Sequence, residues 1–546
     1  MQHRRTFNLI SAPWIPVIRE SGRRDRIQPA RLTDEIDTDP IRDLDFPRPD
    51  FRCAALEFLI GLLTVACPPC DDWKARWTSP PSKAKLEAAF APFAAALTFD
   101  GEGPRAFQDL EEFSTKPTPV EALLIEAPGA ETKRKNAALL VKAGLVEVLS
   151  RPAVSIALIT LQTMAPMGGE GHRTSLRGGG PLTTLVVPKF PATLWHRLWA
   201  NVPPGGSPAK PAEMPRIFPW LVPTRFSNGE GQTTTPQDVD WRQTFFGMPR
   251  RIRLNFEANL DRRPCDLTGE IDDVIVRTYR TLKHGTKYDA WGGIHPLTPH
   301  SCKAGNPTRY PVHGQGGRIG YRQWVAMLYG AKDGSCEPAQ CVSLFVAERA
   351  GDIPRADRSF RLMAAGYDMD NKKARAFTEA ETPDITFRCG GRGAVAEKAR
   401  DFTAAANEVA RTLSQAVKIA LYGGGADVGA TTTLLTTARG RFWADTDETF
   451  FAILNDLSML PAEKLARDAT VPIAHAWRSV MERAALAIFD DMVPVQYALS
   501  PKVRYVVEGR RFLVLTLLGY GARGLELFRN LQLPVPETKT RKGKAA

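Results

Sequence analysis

The chain carries 546 residues, 43% of them hydrophobic and 24% charged, with a formal net charge of +12. That length exceeds one core and predicts roughly two to four domains, and the balance of residue types excludes a disordered or fibrous chain. No apolar run approaches the ~20 residues of a membrane span and Met1–Asn8 has no apolar signal core. The chain therefore reads as cytoplasmic and reduced, with no membrane association, and its excess of Lys and Arg predicts a polyanionic partner.

Residues 7–18 alternate and contain Pro13 and Pro16, which predicts an edge strand. Ser21-Gly22 turns the chain and Asp25-Arg26-Ile27 returns it as a hairpin. Apolar residues at 55/56, 59, 62/63 and 66 predict a helix from Phe51 to Val65, stopped by Pro68-Pro69. Further helix is expected over Trp73–Phe90 and Phe93–Leu97. The polar segment 128–136 holds Lys133, Arg134 and Lys135 in a row and predicts a mobile basic loop.

A helix over Ser155–Thr163 then delivers the chain to Met167–Leu185, read M-G-G-E-G-H-R-T-S-L-R-G-G-G-P-L-T-T-L. Gly168, Gly169, Gly171, Gly178, Gly179 and Gly180 let another backbone approach, and His172, Arg173 and Arg177 sit among them. Exposed main-chain N–H groups beside cations suit phosphates or a nucleic-acid groove. Pro181–Val187 reads as a strand anchoring the far end of this loop, and Pro188–Pro236 as irregular structure. Phe246–Leu254 starts another strand, with Arg250, Arg251 and Arg253 adding charge. Val342–Ala347 predicts a strand, and Arg361–Arg375 follows it.

Beyond Gly390–Gly393 the pattern changes to period-3.6 stripes. Phe402, Ala406, Val409, Leu413, Ala416 and Ala420 form the first, and Phe450–Leu457, Trp477–Ile488 and Tyr505–Leu518 supply three more helices. The predicted fold class is α+β: a large mixed domain over 1–392, a four-helix bundle over 393–530 and a disordered basic tail over 531–546.

Chemical motifs are sparse. Of eight cysteines only Cys67 and Cys70 have C-x-x-C spacing, and no second pair completes a zinc site. His295, His300 and Cys302 match no common metal spacing. Gly424–Thr431 has the outline of a phosphate loop with Ala430 where the lysine belongs. No metal, cofactor or catalytic residue is expected. The alternatives are a nucleic-acid-processing enzyme, a nuclease or NTPase, and a scaffold that binds only protein.

Several stretches together resemble one family. Phe7–Val17, F-N-L-I-S-A-P-W-I-P-V, resembles the family's N-L-x-x-x-x-W-I-P-V opening, and Leu176–Thr184 its L-R-G-G-x-P-x-T-T. Lys287-Tyr288, His295-Pro296, Pro299 and Gly366–Arg375 match in order and spacing. The chain is similar, over nearly its whole length, to CasA, the large subunit of the type I-E CRISPR Cascade surveillance complex. The resemblance implies a non-catalytic subunit that recognises a short motif beside the target in double-stranded DNA, helps to open it and recruits a helicase–nuclease for antiviral defence. The implied partners are the guide RNA (crRNA), the target DNA, the helicase–nuclease, and the other Cascade subunits: backbone, 5′-handle-binding and small. On this resemblance Lys133, Arg134, Lys135 and Asn136 would meet the guide or its neighbouring subunit. The loop at 168–180 would enter the minor groove, with Arg173 and Arg177 on phosphates. Lys283 or Lys287 would reach the duplex, and Asp370, Asn371 and Lys372 would form the strand wedge. The best-known relative centres that wedge on a glutamine. Some relatives carry a cysteine cluster that here is reduced to Cys265, so no zinc is expected.

Overall fold

The computed structural model describes residues 6–135, 144–228, 232–303, 305–354, 358–370, 372–386, 392–423, 431–465, 467–493 and 500–536. Two compact units result, one drawn from Met1–Gly317 and Pro338–Glu381, the other from Arg318–Glu337 and Thr382–Ala546. Among the described residues no helix is long and apolar enough to cross a membrane.

In the first unit β1 (Ile15–Arg19) pairs antiparallel with both β2 (Arg24–Ile27) and β3 (Ile41–Leu44). The expected edge strand is thus central. Pro16 is tolerated because β1 is short and alternates buried Ile15, Val17 and Arg19 with half-buried residues. Helix α1 (Pro49–Ala66) opens with Pro49 at its first position, where the missing N–H costs nothing. Nearly every residue of α1 is buried, and it packs against α2 (Arg151–Met164). At Gly61 a Cβ would lie 2.6 Å from Phe245 Cβ, so the glycine allows close packing there. Rings surround this helix pair: Trp14 lies 5.8 Å from Phe58, and Phe107 4.5 Å from Trp220.

Beyond the glycine stretch, β4 (Thr183–Pro188) pairs antiparallel with β7 (Ser359–Asp370), from Phe360↔Pro188 to Ala365↔Thr183. On its other side β7 pairs with β8 (Lys373–Glu381). A separate ladder joins β5 (Arg251–Ala258) to β6 (Val274–Leu282). Arg251 and Arg253 add no surface charge, because both are buried; Arg251 Nε lies 2.6 Å from Asp109 Oδ2, and Arg253 Nε lies 2.9 Å from Glu112 Oε1.

Three further expectations change. Trp73–Phe90 divides into helices Trp73–Thr78 and Lys83–Phe90 around Pro80-Pro81. The irregular stretch after Pro188 contains α3 (Leu194–Asn201), whose Trp195 and Trp199 are fully buried. Val342–Ala347 is not a strand: helix covers Gln340–Leu344 and a wider π-type turn covers Phe345–Arg349. Cys341, Val342, Phe345 and Arg349 are buried at helical spacing, so burial on one helical side overrides strand propensity.

In the second unit α4 (Tyr321–Tyr329) joins α5 (Arg392–Tyr422), α6 (Thr431–Met459), α7 (Arg467–Met492), α8 (Ser500–Leu517) and α9 (Gly521–Leu531). The four expected helices are α5 to α8, and α5 packs against α4, α6, α7, α8 and α9. Tyr321 fixes the inserted segment: its ring stacks on Phe450 at 4.2 Å and its N–H donates to Asp447 Oδ1 at 2.8 Å. Gly424–Ala430 lie outside the described residues, as does most of the expected basic tail.

Arg177 belongs to the core of the first unit and is not the phosphate ligand that the resemblance implied. It is 3% exposed, and its Nη2 lies 2.6 Å from Glu57 Oε2 of α1. Its Nη1 donates to Thr183 Oγ1 at 3.0 Å and Thr298 Oγ1 at 2.9 Å. A guanidinium enclosed this way is held by its partners and cannot meet solvent or DNA. Removing one member of such a pair strands a buried charge and costs about 3–5 kcal/mol. Arg177→Ala is expected to lower the unfolding free energy by that amount in urea titration, and Arg177→Met with Glu57→Leu to lose less than the two single changes summed.

Candidate nucleic-acid interface

The glycine stretch hangs from Arg177 in two halves. In the first, Gly168 N–H donates to His172 O at 3.2 Å and His172 N–H to Gly169 O at 3.0 Å, which closes a turn with Glu170 and Gly171 at its centre. Gly171 has φ +76°, open to glycine but strained for other residues. Its carbonyl accepts from His284 N–H at 2.8 Å, and a Cβ there would lie 2.7 Å from Lys283 Cβ. The turn is thus seated on the end of β6. Arg173 braces the same seat: Nε donates to Ser227 Oγ at 2.7 Å and Nη2 to Ser227 O at 2.6 Å. Its expected phosphate role yields to this bracing.

The second half runs from Ser175 to Gly180. Ser175 N–H donates to Ala165 O at 2.9 Å and Gly178 N–H to Ser175 O at 2.9 Å. A Cβ at Gly180 would lie 2.7 Å from Tyr367 O and Met369 Cγ, both on β7. A second glycine segment fills the space beside it. Gly314 N–H donates to Gly180 O at 3.2 Å, His313 Nδ1 bonds Gly179 O at 2.9 Å, and a Cβ at Gly314 would lie 2.6 Å from Tyr367 O. His313–Gly317 was not singled out from the sequence; its G-Q-G-G composition is the signal that could have found it.

The β7–β8 hairpin carries the expected wedge at its tip. Asp370 faces Lys373 in the register, and Asp370, Lys372 and Lys373 are exposed. Asn371 lies outside the described residues. Asp370 ends the strand rather than standing within a loose turn. Below the tip the register shifts between Asp368↔Ala376 and Met369↔Ala374, so Arg375 is the extra residue of a bulge. Arg375 grips Asp368 at 2.9 and 2.6 Å, and these hydrogen bonds, aided by its charge, hold that carboxyl below the usual range. At the base, Tyr367 Oη donates to Asp50 Oδ2 at 2.6 Å, which ties the hairpin to α1.

The chain matches the family model for CRISPR-associated protein Cse1 over residues 8–488. It belongs to the Cse1 family. Its fold is similar to Thermobifida fusca Cse1 (TM-score 0.67, 16% identity, covering 96% of this chain and 98% of that one). Cse1 from Acidimicrobium ferrooxidans gives a TM-score of 0.65 at 15% identity, covering 97% and 99% of the two chains. A chain of a CRISPR RNA-guided surveillance complex gives 0.67 at 18% identity, covering 94% and 100%. This family is that of CasA, the large subunit of type I-E Cascade.

Three segments distant in the Cse1-family sequence thus share one unit: the glycine stretch lies against Lys283 on one side and the hairpin on the other. Lys283 is the lysine beside the glycine turn; its Nζ lies 2.9 Å from Glu170 Oε2. Lys287 sits in a two-residue strand paired with Thr233, exposed. Burial, with the neighbouring charges of Arg250 and Lys283, holds His172 below the usual histidine range. Burial also pushes Arg250 down to about 10. The basic run 133–135 is not a plain loop: Ala130–Arg134 is a short helix, and Lys133 Nζ lies 2.8 Å from Glu121 Oε1. Asn136 lies outside the described residues. Among the described residues no three His, Cys, Asp or Glu side chains gather as a metal site would require.

The two turn glycines should respond differently to substitution. A Cβ at Gly169 meets nothing within 4 Å, whereas Gly171 combines positive φ with a clash. Gly169→Val is expected to change stability by less than about 0.5 kcal/mol. Gly171→Val should cost roughly 1–3 kcal/mol, measured by chemical denaturation of the isolated chain.

Proposed function

We propose that this chain is the non-catalytic large subunit of a type I-E CRISPR guide-RNA surveillance complex, and that the face built from the glycine turn, Lys283 and the β7–β8 tip recognises the motif beside the target and begins to open the duplex. The observation that carries this reading is the seating of the glycine stretch between Lys283 and the hairpin. Membership of the Cse1 family and the likeness of the fold to a chain of an RNA-guided surveillance complex support the subunit role.

The geometry suits a division of labour. The N–H groups of Gly169, Glu170 and Gly171 make no main-chain bond among the described residues, so the turn offers donors at its crest. In the minor groove such donors suit adenine N3 and thymine O2, which A·T and T·A both display. Lys283 lies at the flank of this crest and suits a phosphate, which adds affinity without sequence information. The hairpin tip presents Lys372 and Lys373 beyond strands anchored to α1 and β4, so it can press on a base pair without yielding. The short basic helix at 130–134 belongs in this reading to the guide RNA or the subunit that holds its end, and recruitment of the helicase–nuclease follows once the duplex is open.

Two expected outcomes test the assignment. In the assembled, guide-loaded complex, Lys283→Ala should weaken binding to all duplexes and lower the salt slope by about one contact. Deleting 370–372 should leave initial duplex binding close to wild type and reduce strand opening at least tenfold, read by permanganate reactivity of the displaced thymines. Equal losses of binding and opening would reduce the hairpin to a docking contact. Separately, alanine at Lys133, Arg134 and Lys135 together should weaken joining of this subunit to the guide-loaded remainder, measured by co-purification at physiological salt; unchanged joining would remove the role given to that helix.

A further inference from the structure

We propose that Glu170 is a specificity residue, its carboxylate accepting the N2 amine of a guanine in the minor groove so that one motif position is read as G·C. The inference rests on the minor-groove reading of the glycine turn and adds to it a position at which the main chain alone would favour A·T.

The motivating feature is a negative charge where a polyanion is expected to bind. Glu170 stands at the crest of the turn, between Gly169 and Gly171, with its side chain 81% exposed. The crest is not free to turn away: Gly168, Gly169 and His172 close it, and Gly171 is fixed on His284 by its carbonyl. A carboxylate placed against DNA phosphates is repelled, so its presence at the leading edge of a groove-reading turn needs an offsetting donor. In the minor groove the guanine N2 amine is the only donor that a base pair displays. Against A·T the carboxylate would face only acceptors, and both repulsion and lost hydration would oppose binding.

Lys283 completes the arrangement. It holds Glu170 Oε2 at 2.9 Å, and its own side chain is 54% exposed. An exposed ion pair of this kind is weak, so Lys283 can turn to a phosphate while the carboxylate turns to the amine. His284, on whose N–H the turn is seated, also lies close enough to act on this carboxylate. The exchange leaves each charged group with a partner of opposite polarity, as a charge-assisted bond requires.

The test uses the full guide-loaded complex and a duplex library randomised through the motif, with a second set in which inosine replaces guanine and so lacks only the N2 amine. Wild type should prefer G·C at one position by roughly tenfold and lose that preference with inosine. Glu170→Ala should abolish the preference at that position, leave the other positions unchanged, and be insensitive to inosine. Glu170→Gln, which keeps an acceptor oxygen, should retain part of the preference. A Glu170→Ala complex that binds every sequence more tightly by one common factor would show simple repulsion and overturn the proposal, as would an inosine effect that survives the substitution. A wild-type complex indifferent to every motif position would instead remove the minor-groove reading itself.

Discussion

The buried pair between Arg177 and Glu57 is the constraint on which the candidate interface depends. One partner belongs to α1, the most enclosed helix of the first unit, and the other to the middle of the glycine stretch. Burying two charges is unfavourable unless their attraction and remaining hydrogen bonds are satisfied, and Thr183 and Thr298 supply those bonds. A stretch with six glycines has a large conformational entropy to lose. Fixing its centre in the core turns one long floppy segment into two short ones, each closed on a different neighbour. The first half reaches Lys283 and His284; the second reaches His313, Gly314 and the β7–β8 hairpin.

The same economy of charge shapes the surface. Several arginines brace the fold instead of facing a ligand: Arg177 on Glu57, Arg173 on Ser227 and Arg251 on Asp109 are buried or half-buried, and the exposed Arg375 is taken up by Asp368. A net charge of +12 is therefore a poor guide to the interface. What faces outward near the glycine turn is Lys283, and at the hairpin tip Lys372 and Lys373. An interface with few cations and an exposed main chain is suited to shape and groove-edge contacts more than to bulk phosphate neutralisation.

How far the sequence foretold this varied with the physics of each segment. The long C-terminal helices were legible because period-3.6 stripes over many turns have no competing reading. The glycine turn was legible too, because glycine chemistry is local, whereas the strands of the β7–β8 hairpin were not read from the sequence and only the position of its tip was marked, by resemblance. Val342–Ala347 misled because a short apolar run suits a strand or a buried helix equally, and packing decides. Leu194–Asn201 was hidden among prolines and tryptophans, although Trp195 and Trp199 are spaced for one helix face. Arg177 could not be placed from sequence, because its partner lies 120 residues away on α1. The segment Arg318–Glu337 was likewise unreadable as part of the second unit, since long-range contacts bring it there: Tyr321 stacks on Phe450, Arg318 pairs with Asp447 and Lys332 with Asp401. Lys283 and Lys287 were separable only by the fold, which seats one of them under the glycine turn.

The central claim is that the glycine turn meets the minor groove of the motif. Its most direct measurement is cleavage from a tethered iron chelate at Gly169→Cys, a position where an added side chain meets nothing in the protein, in the guide-loaded complex bound to a motif-bearing duplex. Minor-groove entry predicts cuts on both strands confined to the motif, with the offset that marks a minor-groove source, and their loss when the motif is scrambled. Cuts centred outside the motif, or a pattern indifferent to its sequence, would contradict it.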